Sequence, residues 1–380
     1  MIWPRVIGQE RVKRALLSAL TNDRLPHAYL FHGSEGVGKD AMAMELARVI
    51  HCEREEEQAC NACSSCRRMD TLQHPDVRLI MALPAGKSEQ SNDSPFARLT
   101  PDDVLVIQEQ IRLKAENAYH QIVIPRATTV RINSIRELRR ESAMSSSDGR
   151  RRVFIVSRAD EMNAEASNAI LKTLEEPAGH SLLILTNSHR DALLPTVLSR
   201  CQSVRFDLLT EQDIAGALVT RNHVKTEEAT LVARLAGGRY VRALQLLDED
   251  LADERRKVLL FVREALGNNA VLLGKRVEEL SSSKEREPVR RFLGLLLLWF
   301  RDALVCRHGG VIVNVDQQDD LQRFVAKFPR ADLAGVVADI EQAVFLVDRN
   351  VYIKLIFLQL AVQLRRNITY AGTTPATLLK

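Results

Sequence analysis

Residues 30–43, LFHGSEGVGKDAMA, place Gly33, Gly38 and Lys39 at the spacing G-x-x-x-x-G-K, with Gly36 as a further glycine inside the loop. In such a loop, backbone N–H groups cradle phosphates, the lysine reaches the terminal ones, and a hydroxyl on the next residue holds Mg²⁺. Here the next residue is Asp40. A carboxylate beside phosphates is unfavourable unless a cation intervenes, so Asp40 either contacts Mg²⁺ itself or, as expected here, turns away. The apolar stretch AYLFH (28–32) precedes the loop and a helical pattern follows it, which is the context a true phosphate loop requires.

A second group of residues points to metal chemistry. Four of the six cysteines, Cys52, Cys60, Cys63 and Cys66, follow the spacing C-x7-C-x2-C-x2-C. In a reducing compartment this reads as ligation, not disulfides, and four thiolates suit tetrahedral Zn²⁺ in a closed structural site. Free thiols and redox chemistry are the alternatives. Cys201 and Cys306 stand apart and read as small, semi-buried apolar side chains.

The elements that must position these residues alternate in the first half of the chain. Strand-like runs at 28–32, 77–82, 153–157, 181–186 and 204–208 are separated by helical patterns, the signature of βαβ units and a mainly parallel sheet. Residues 101–145 read as helix, extended chain (HQIVIPR) and helix, and the polar stretch 84–100 as a mobile insertion. Beyond about 208 only helical patterns remain, as in VRRFLGLLLLWFRDALV and VYIKLIFLQLAVQLRR, whose apolar stripes are read as helix-packing surfaces; the tail GTTPATLLK is expected to fray. At 380 residues, with 46% hydrophobic and 27% charged residues, the chain can carry two or three globular domains. Its 53 basic and 49 acidic residues leave a net charge of +4, which does not suggest a dedicated DNA-coating protein. The start MIWPRVIGQE lacks an apolar signal core and FLGLLLLWF (292–300) is too short to span a bilayer, so a cytoplasmic protein with no membrane partner is expected.

A hydrolysing site also needs acids at the end of a neighbouring strand, to assist Mg²⁺ and activate water. The strand VFIV is followed by Ser157 and Arg158, and Asp160 and Glu161 arrive three residues late. Along extended chain that is a displacement of roughly 10 Å, far more than metal coordination tolerates.

NAILKTLEEP (168–177) and LLILTNSHRDALLPTVLSRCQSVRF resemble the clamp-loader branch of the AAA+ proteins, and within it the delta-prime subunit family of bacterial DNA polymerase III. VIGQERVKRALLSAL, HAYLFHGSEGVGKD, the four-cysteine module and HPD (74–76) extend the resemblance over about residues 5–250. In the family's motor subunits the strand ends in Asp-Glu, where this chain has Ser157 and Arg158; the delta-prime subunits typically lack those acids. The resemblance implies an α/β AAA+ phosphate-loop domain with a zinc module at 1–208, a helical lid at 209–250 and an all-α collar for oligomerisation at 251–380.

It also implies roles. Gly33, Gly36, Gly38, Lys39 and Asp40 would line a vestigial or weak nucleotide site, holding ATP or ADP without hydrolysis if it holds either. Val6, Ile7, Gly8 and Gln9 would flank the adenine. Thr186 and Asn187 fall at the polar sensor of the fourth strand, and a second sensor falls on Val241 or Arg242. Arg200, in the motif SRC (199–201), would be an arginine finger reaching in trans into a neighbour's ATP site; the plain alternative is an arginine bridging surface carboxylates. The implied partners are motor subunits and the delta subunit in a hetero-pentamer, the sliding clamp more weakly, and primed DNA through the assembled complex. The rival readings are an active ATPase motor of the same family, with Asp40 or Asp160 compensating, and a stand-alone zinc-containing nucleic-acid-binding protein.

Overall fold

The computed structural model describes residues 3–54, 57–84, 94–97, 99–144, 146, 149–177, 181–247, 251–282, 286–314, 317–349 and 351–370. Most of the insertion expected at 84–100 (85–93 and 98) and the tail beyond 370 lie outside the described residues. The chain divides into two compact units, one of residues 1–217 with 237–242, the other of 218–236 with 243–380. The segment 209–250 is therefore shared between them.

In the first unit, α1 (Glu10–Thr21) precedes β1 (Ala28–His32), α2 (Lys39–His51), α3 (Ser64–Asp70) and β2 (Val77–Ile80). Then follow α4 (Pro101–Glu116), α5 (Ile132–Ser142), β3 (Arg152–Val156), α6 (Ala164–Glu175), β4 (Ser181–Asn187), α7 (Pro195–Leu198), β5 (Gln202–Arg205) and α8 (Glu211–Asn222), whose last five residues belong to the second unit. The five strands form one sheet in the order β2-β3-β4-β1-β5, every pair parallel. Parallel strands carry helices on both faces, so both faces are buried and the strands read as unbroken apolar runs. Leu30 and Phe31, Val153 to Val156 and Leu182 to Leu185 are all buried accordingly. The register pairs Ala28 with Leu183 and His32 with Asn187, and it pairs Val156 with Leu185. The carboxyl ends of β1, β3 and β4 therefore lie side by side, where open α/β sheets collect their functional loops.

Three strands match their expected runs to within a residue. β2 stops short of the expected 82, although Met81 and Leu83 stay buried in a small cluster with Ile107 and Ile124. β5 lies at Gln202–Arg205 instead of 204–208 because Arg205 pairs with His32, the last residue of β1. Beyond it the neighbouring backbone turns away into the loop. α4 opens on a full capping box, in which the Thr100 hydroxyl accepts from the Asp103 N–H and the Asp103 carboxylate accepts from the Thr100 N–H.

The second unit is helical, built from α9 (Thr226–Leu235), most of α10 (Tyr240–Leu247), α11 (Leu251–Leu266), α12 (Ala270–Leu280), α13 (Arg286–Arg307), α14 (Gln318–Lys327), α15 (Leu333–Asp348) and α16 (Ile353–Thr369). α13 is buried nearly all round, which explains the run FLGLLLLWF. At the centre Phe261, Phe292 and Phe357 meet edge to face, with ring centroids 5.5–5.8 Å apart. No helix among the described residues is long and apolar enough to cross a membrane.

Candidate functional site

The phosphate loop leaves β1 at Gly33 and enters α2 at Lys39. Gly38 is the N-cap with φ 99°, a left-handed conformation that favours glycine. At Gly33 a Cβ would lie 2.4 Å from the Phe206 carbonyl oxygen, so only glycine fits against the backbone that follows β5. The loop is thus built as the glycine spacing predicts, but its lysine is engaged within the chain. Lys39 Nζ donates to the carbonyls of Gly33 and Ser34, both at 2.8 Å, and to Ser188 Oγ at 3.0 Å. Burial lowers its pKa, opposed by Asp40, Glu35 and Asp160.

Asp40 turns inward, onto Lys114, Ser157 and Thr186. Its Oδ2 accepts from Lys114 Nζ at 3.1 Å and from Ser157 Oγ at 2.7 Å, and its Oδ1 accepts from Thr186 Oγ1 at 2.7 Å. Burial pushes the Asp40 carboxyl up, but the charge of Lys114 and the bonds from Thr186, Ser157 and Lys114 outweigh it and hold the pKa at about 2. Lys114 is buried too, and its ammonium also donates to the His120 carbonyl at 2.8 Å. The residue that replaces a strand-end acid, Ser157, therefore serves a carboxylate that replaces a hydroxyl.

The acids that follow are committed elsewhere. Asp160 and Glu161 lie on a 3₁₀ turn at Ala159–Glu161; Asp160 pairs with His189 at 2.8 Å, and Glu161 with Arg158 at 2.6 Å. Glu161 nevertheless lines the loop cavity, and burial raises its pKa. Thr186 and Asn187 end β4 within the same cavity, both almost fully buried. Asn187 Nδ2 donates to the His189 carbonyl, while its Oδ1 has no partner among the described residues.

The base-flanking stretch is closed as well. Val6 and Ile7 are buried, and the Ile7 N–H donates to Tyr119 Oη at 2.8 Å. Gly8 has φ 53°, and Gln9 donates to the Asp207 carbonyl at 2.7 Å. The Tyr119 ring meets Tyr240 edge-on at 4.9 Å. Of the two candidates for a second sensor, Val241 lines the cavity beside Gly36, and it carries no charge. The cavity left among these groups is about 140 Å³. That is near the size of an apolar cavity that takes up benzene, and small for a nucleoside triphosphate. With Lys39 and Asp40 saturated from within, these residues do not fit a Mg²⁺-nucleotide.

The four cysteines do converge. Their sulfurs all lie within 4.8 Å of one another, and Cys60 Sγ is 3.9 Å from Cys66 Sγ. Four Zn–S bonds of about 2.3 Å in a tetrahedron need sulfurs roughly 3.8 Å apart, so the donor set fits. Backbone N–H groups of Cys60, Cys63 and Cys66 point at the sulfurs of Cys52, Cys60 and Cys63 respectively. The Ala62 and Cys63 amides bring the Cys60 thiol down to about 6, whereas burial raises that of Cys66. α3, which carries Cys66, is tied to α2 by Arg48, whose Nη1 reaches Asp70 at 2.8 Å and the Cys66 carbonyl at 3.1 Å. In the HPD motif, His74 Nε2 bonds Ser65 Oγ at 3.0 Å, and Asp76 takes Arg152 Nε at 3.0 Å, so this motif braces the module against the sheet.

Arg200 follows the one-turn helix α7 at the protein surface. Its Nη2 lies 2.9 Å from Glu175 Oε1, the end of α6, and its Nη1 donates to the Thr196 carbonyl at 3.1 Å. Both side chains of the ion pair are more than a third exposed, at 36% and 49%, so it is weak.

A family model described as DNA polymerase III, delta subunit, matches residues 8–210, more than half of the chain. The chain belongs to that family. Among curated relatives, DNA polymerase III subunit delta' of Bacillus subtilis (strain 168) is 27% identical over 305 residues, covering 79% of this chain and 78% of the relative. DNA polymerase III subunit tau of the same organism is 28% identical over 253 residues, covering 65% of this chain but only 37% of tau. Among solved structures, a DNA polymerase III gamma subunit-related protein of Thermotoga maritima shares 15% identity at a TM-score of 0.34, covering 94% of this chain and 98% of that one. The clamp-loader resemblance read from NAILKTLEEP and its neighbours is borne out, and the chain is a clamp-loader subunit of DNA polymerase III.

Within this family fold the sequence reading missed Lys114 and Tyr119. Lys114 lies 74 residues from Asp40 and Tyr119 lies 112 from Ile7. Neither belongs to a motif. The available signal was an isolated tyrosine in the polar stretch AENAYH, with no means of placing it.

Proposed function

We propose that this subunit does not hydrolyse ATP itself and donates Arg200 to the ATP site of a neighbouring motor subunit while the loader places the sliding clamp on primed DNA. The observation that carries the first half is Asp40, whose carboxylate is taken up by Lys114, Ser157 and Thr186 at the position that would have to bind Mg²⁺. For the second half, Arg200 is exposed and rests on a half-exposed glutamate. Such a pair is worth about 0–1 kcal/mol, which a neighbour's γ-phosphate can readily outbid. A guanidinium placed there neutralises charge that develops on the transferred phosphoryl, a contribution of about 10³–10⁵ in rate in other NTPases.

Cys52, Cys60, Cys63 and Cys66 would hold Zn²⁺ as a structural ion, which supplies four fixed bonds to a short segment with little core of its own. The helical unit would complete a collar with the motor subunits and the delta subunit in a hetero-pentamer. Contact with the clamp would be weaker, and DNA would be met through its backbone in the assembled complex. The active-motor alternative is disfavoured by Ser157 and by the commitment of Asp160 to His189.

The test is ATP hydrolysis by the loader reassembled from purified subunits, with the wild-type chain or Arg200→Ala, and with the chain alone as control. The chain alone is expected to be inactive, and Arg200→Ala to lower the DNA-stimulated rate severalfold. Turnover by the chain alone, with no effect of Arg200→Ala, would replace this reading with the motor one.

A further inference from the structure

We infer that Lys114 and Tyr119 are built-in occupants of the phosphate-loop site, the ammonium standing where a divalent cation would bind and the tyrosine closing the entry for the base. This rests on the reading of the loop as non-hydrolysing and adds to it a specific means of exclusion. The ammonium of Lys114 sits 3.1 Å from Asp40 Oδ2, and the carboxylate's two oxygens take two further bonds from Ser157 and Thr186. A buried lysine beside a buried carboxylate cancels its charge, so Asp40 has no electrostatic need for Mg²⁺.

Tyr119 works on the other side of the loop. Its hydroxyl holds the Ile7 N–H, a backbone donor in the stretch that flanks adenine in relatives. The same hydroxyl lies 2.8 Å from where a Cβ on Gly38 would stand, so it is pressed against the N-terminus of α2, where phosphates would be held. Lys39 completes the arrangement by bonding the loop's own carbonyls at Gly33 and Ser34. The cation position, the base-side donor and the phosphate lysine are thus each satisfied by this chain. Nucleotide would have to displace all three sets of contacts together.

The experiment titrates the full chain with Mg·ADP and Mg·ATP by calorimetry, a readout of binding that is independent of hydrolysis and of Arg200. The wild-type chain is expected to show no binding up to about 1 mM. Lys114→Ala/Tyr119→Ala is expected to bind Mg·ADP at least about tenfold more tightly, while Lys114→Arg, which keeps the cation, stays closed. Wild-type binding with Kd below about 1 mM overturns the inference, as does a double variant that is folded by circular dichroism yet binds no better. Should the double variant not fold, amide exchange at Ile7 and Gly38 in the wild-type chain decides. Rates unchanged by Mg·ADP support the inference, and added protection overturns it. Failure here leaves the finger role of Arg200 standing, and an Arg200→Ala variant without effect leaves this result standing, whereas ATP turnover by the chain alone overturns both.

Discussion

The character of the site turns on one substitution, a carboxylate at the position after the loop lysine. Asp40 is stable there because it is fully partnered, and its ionisation contributes to folding. A carboxyl titrating at about 2 in the native chain and at 3.8 when unfolded contributes stability that is complete above about pH 4 and is lost as the pH falls through about 2. The amount is on the order of 2 kcal/mol. Asp40→Asn would leave the Lys114 ammonium buried without its counter-charge, a loss of about 3–5 kcal/mol near neutrality. Urea unfolding of wild type and Asp40→Asn at a series of pH values should show that gap narrowing as the pH drops below about 4. A gap that stays constant with pH would mean that the carboxylate is not ionised or not engaged as described.

At the scale of elements, the parallel sheet decides what the loops can do. The side-by-side ends of β1, β3 and β4 bring Asp40, Ser157 and Thr186 within hydrogen-bonding range although they are far apart in the chain. The turn out of β1 has no room for a side chain. Gly33→Ala puts a methyl against the Phe206 carbonyl, a rigid backbone neighbour, and should cost at least about 2 kcal/mol by denaturant unfolding. The four-cysteine segment has little secondary structure of its own, the seven-residue α3, which is tied to α2 through Arg48 and to the HPD motif through Ser65 and His74. Purified chain is expected to release about one zinc per molecule to a chelator, with a fall in Tm on calorimetry. Cys60→Ser should give the lower Tm without any zinc to release.

For the whole molecule, two separate cores imply two separable reports of unfolding. The chain has two tryptophans, Trp3 in the sheet unit and Trp299 in the helical one, both buried. Phe357→Ala removes one ring of the central aromatic cluster and should cost the helical unit about 3–5 kcal/mol. In single-tryptophan backgrounds, Trp3→Phe and Trp299→Phe, the loss should lower the denaturant midpoint seen by Trp299 more than that seen by Trp3. Equal shifts would show that the two cores unfold as one.

The sequence alone determined the pieces whose signal is local. A glycine loop has to follow a strand and open a helix; C-x2-C pairs have to turn their sulfurs to one centre; doubly buried strands have to be apolar throughout. Gly33–Lys39, the cysteine cluster and the buried strands β1, β3 and β4 were legible for that reason, as was the missing acid at Ser157, whereas the exposed β5 (QSVR) lies two to three residues before its expected run. What only the tertiary structure decided is where side chains from distant segments meet. Asp40 was expected to turn away, and it turns inward onto Lys114, because α4 delivers an ammonium to the end of β3. Tyr119 reaches Ile7 and Gly38 through the chain that leaves the same helix. Hydrogen bonds across 74 and 112 residues leave no periodicity and no motif behind, since either partner alone is an ordinary polar residue. Their pairing is set by the sheet order and by the direction in which α4 runs, and these are properties of the folded chain.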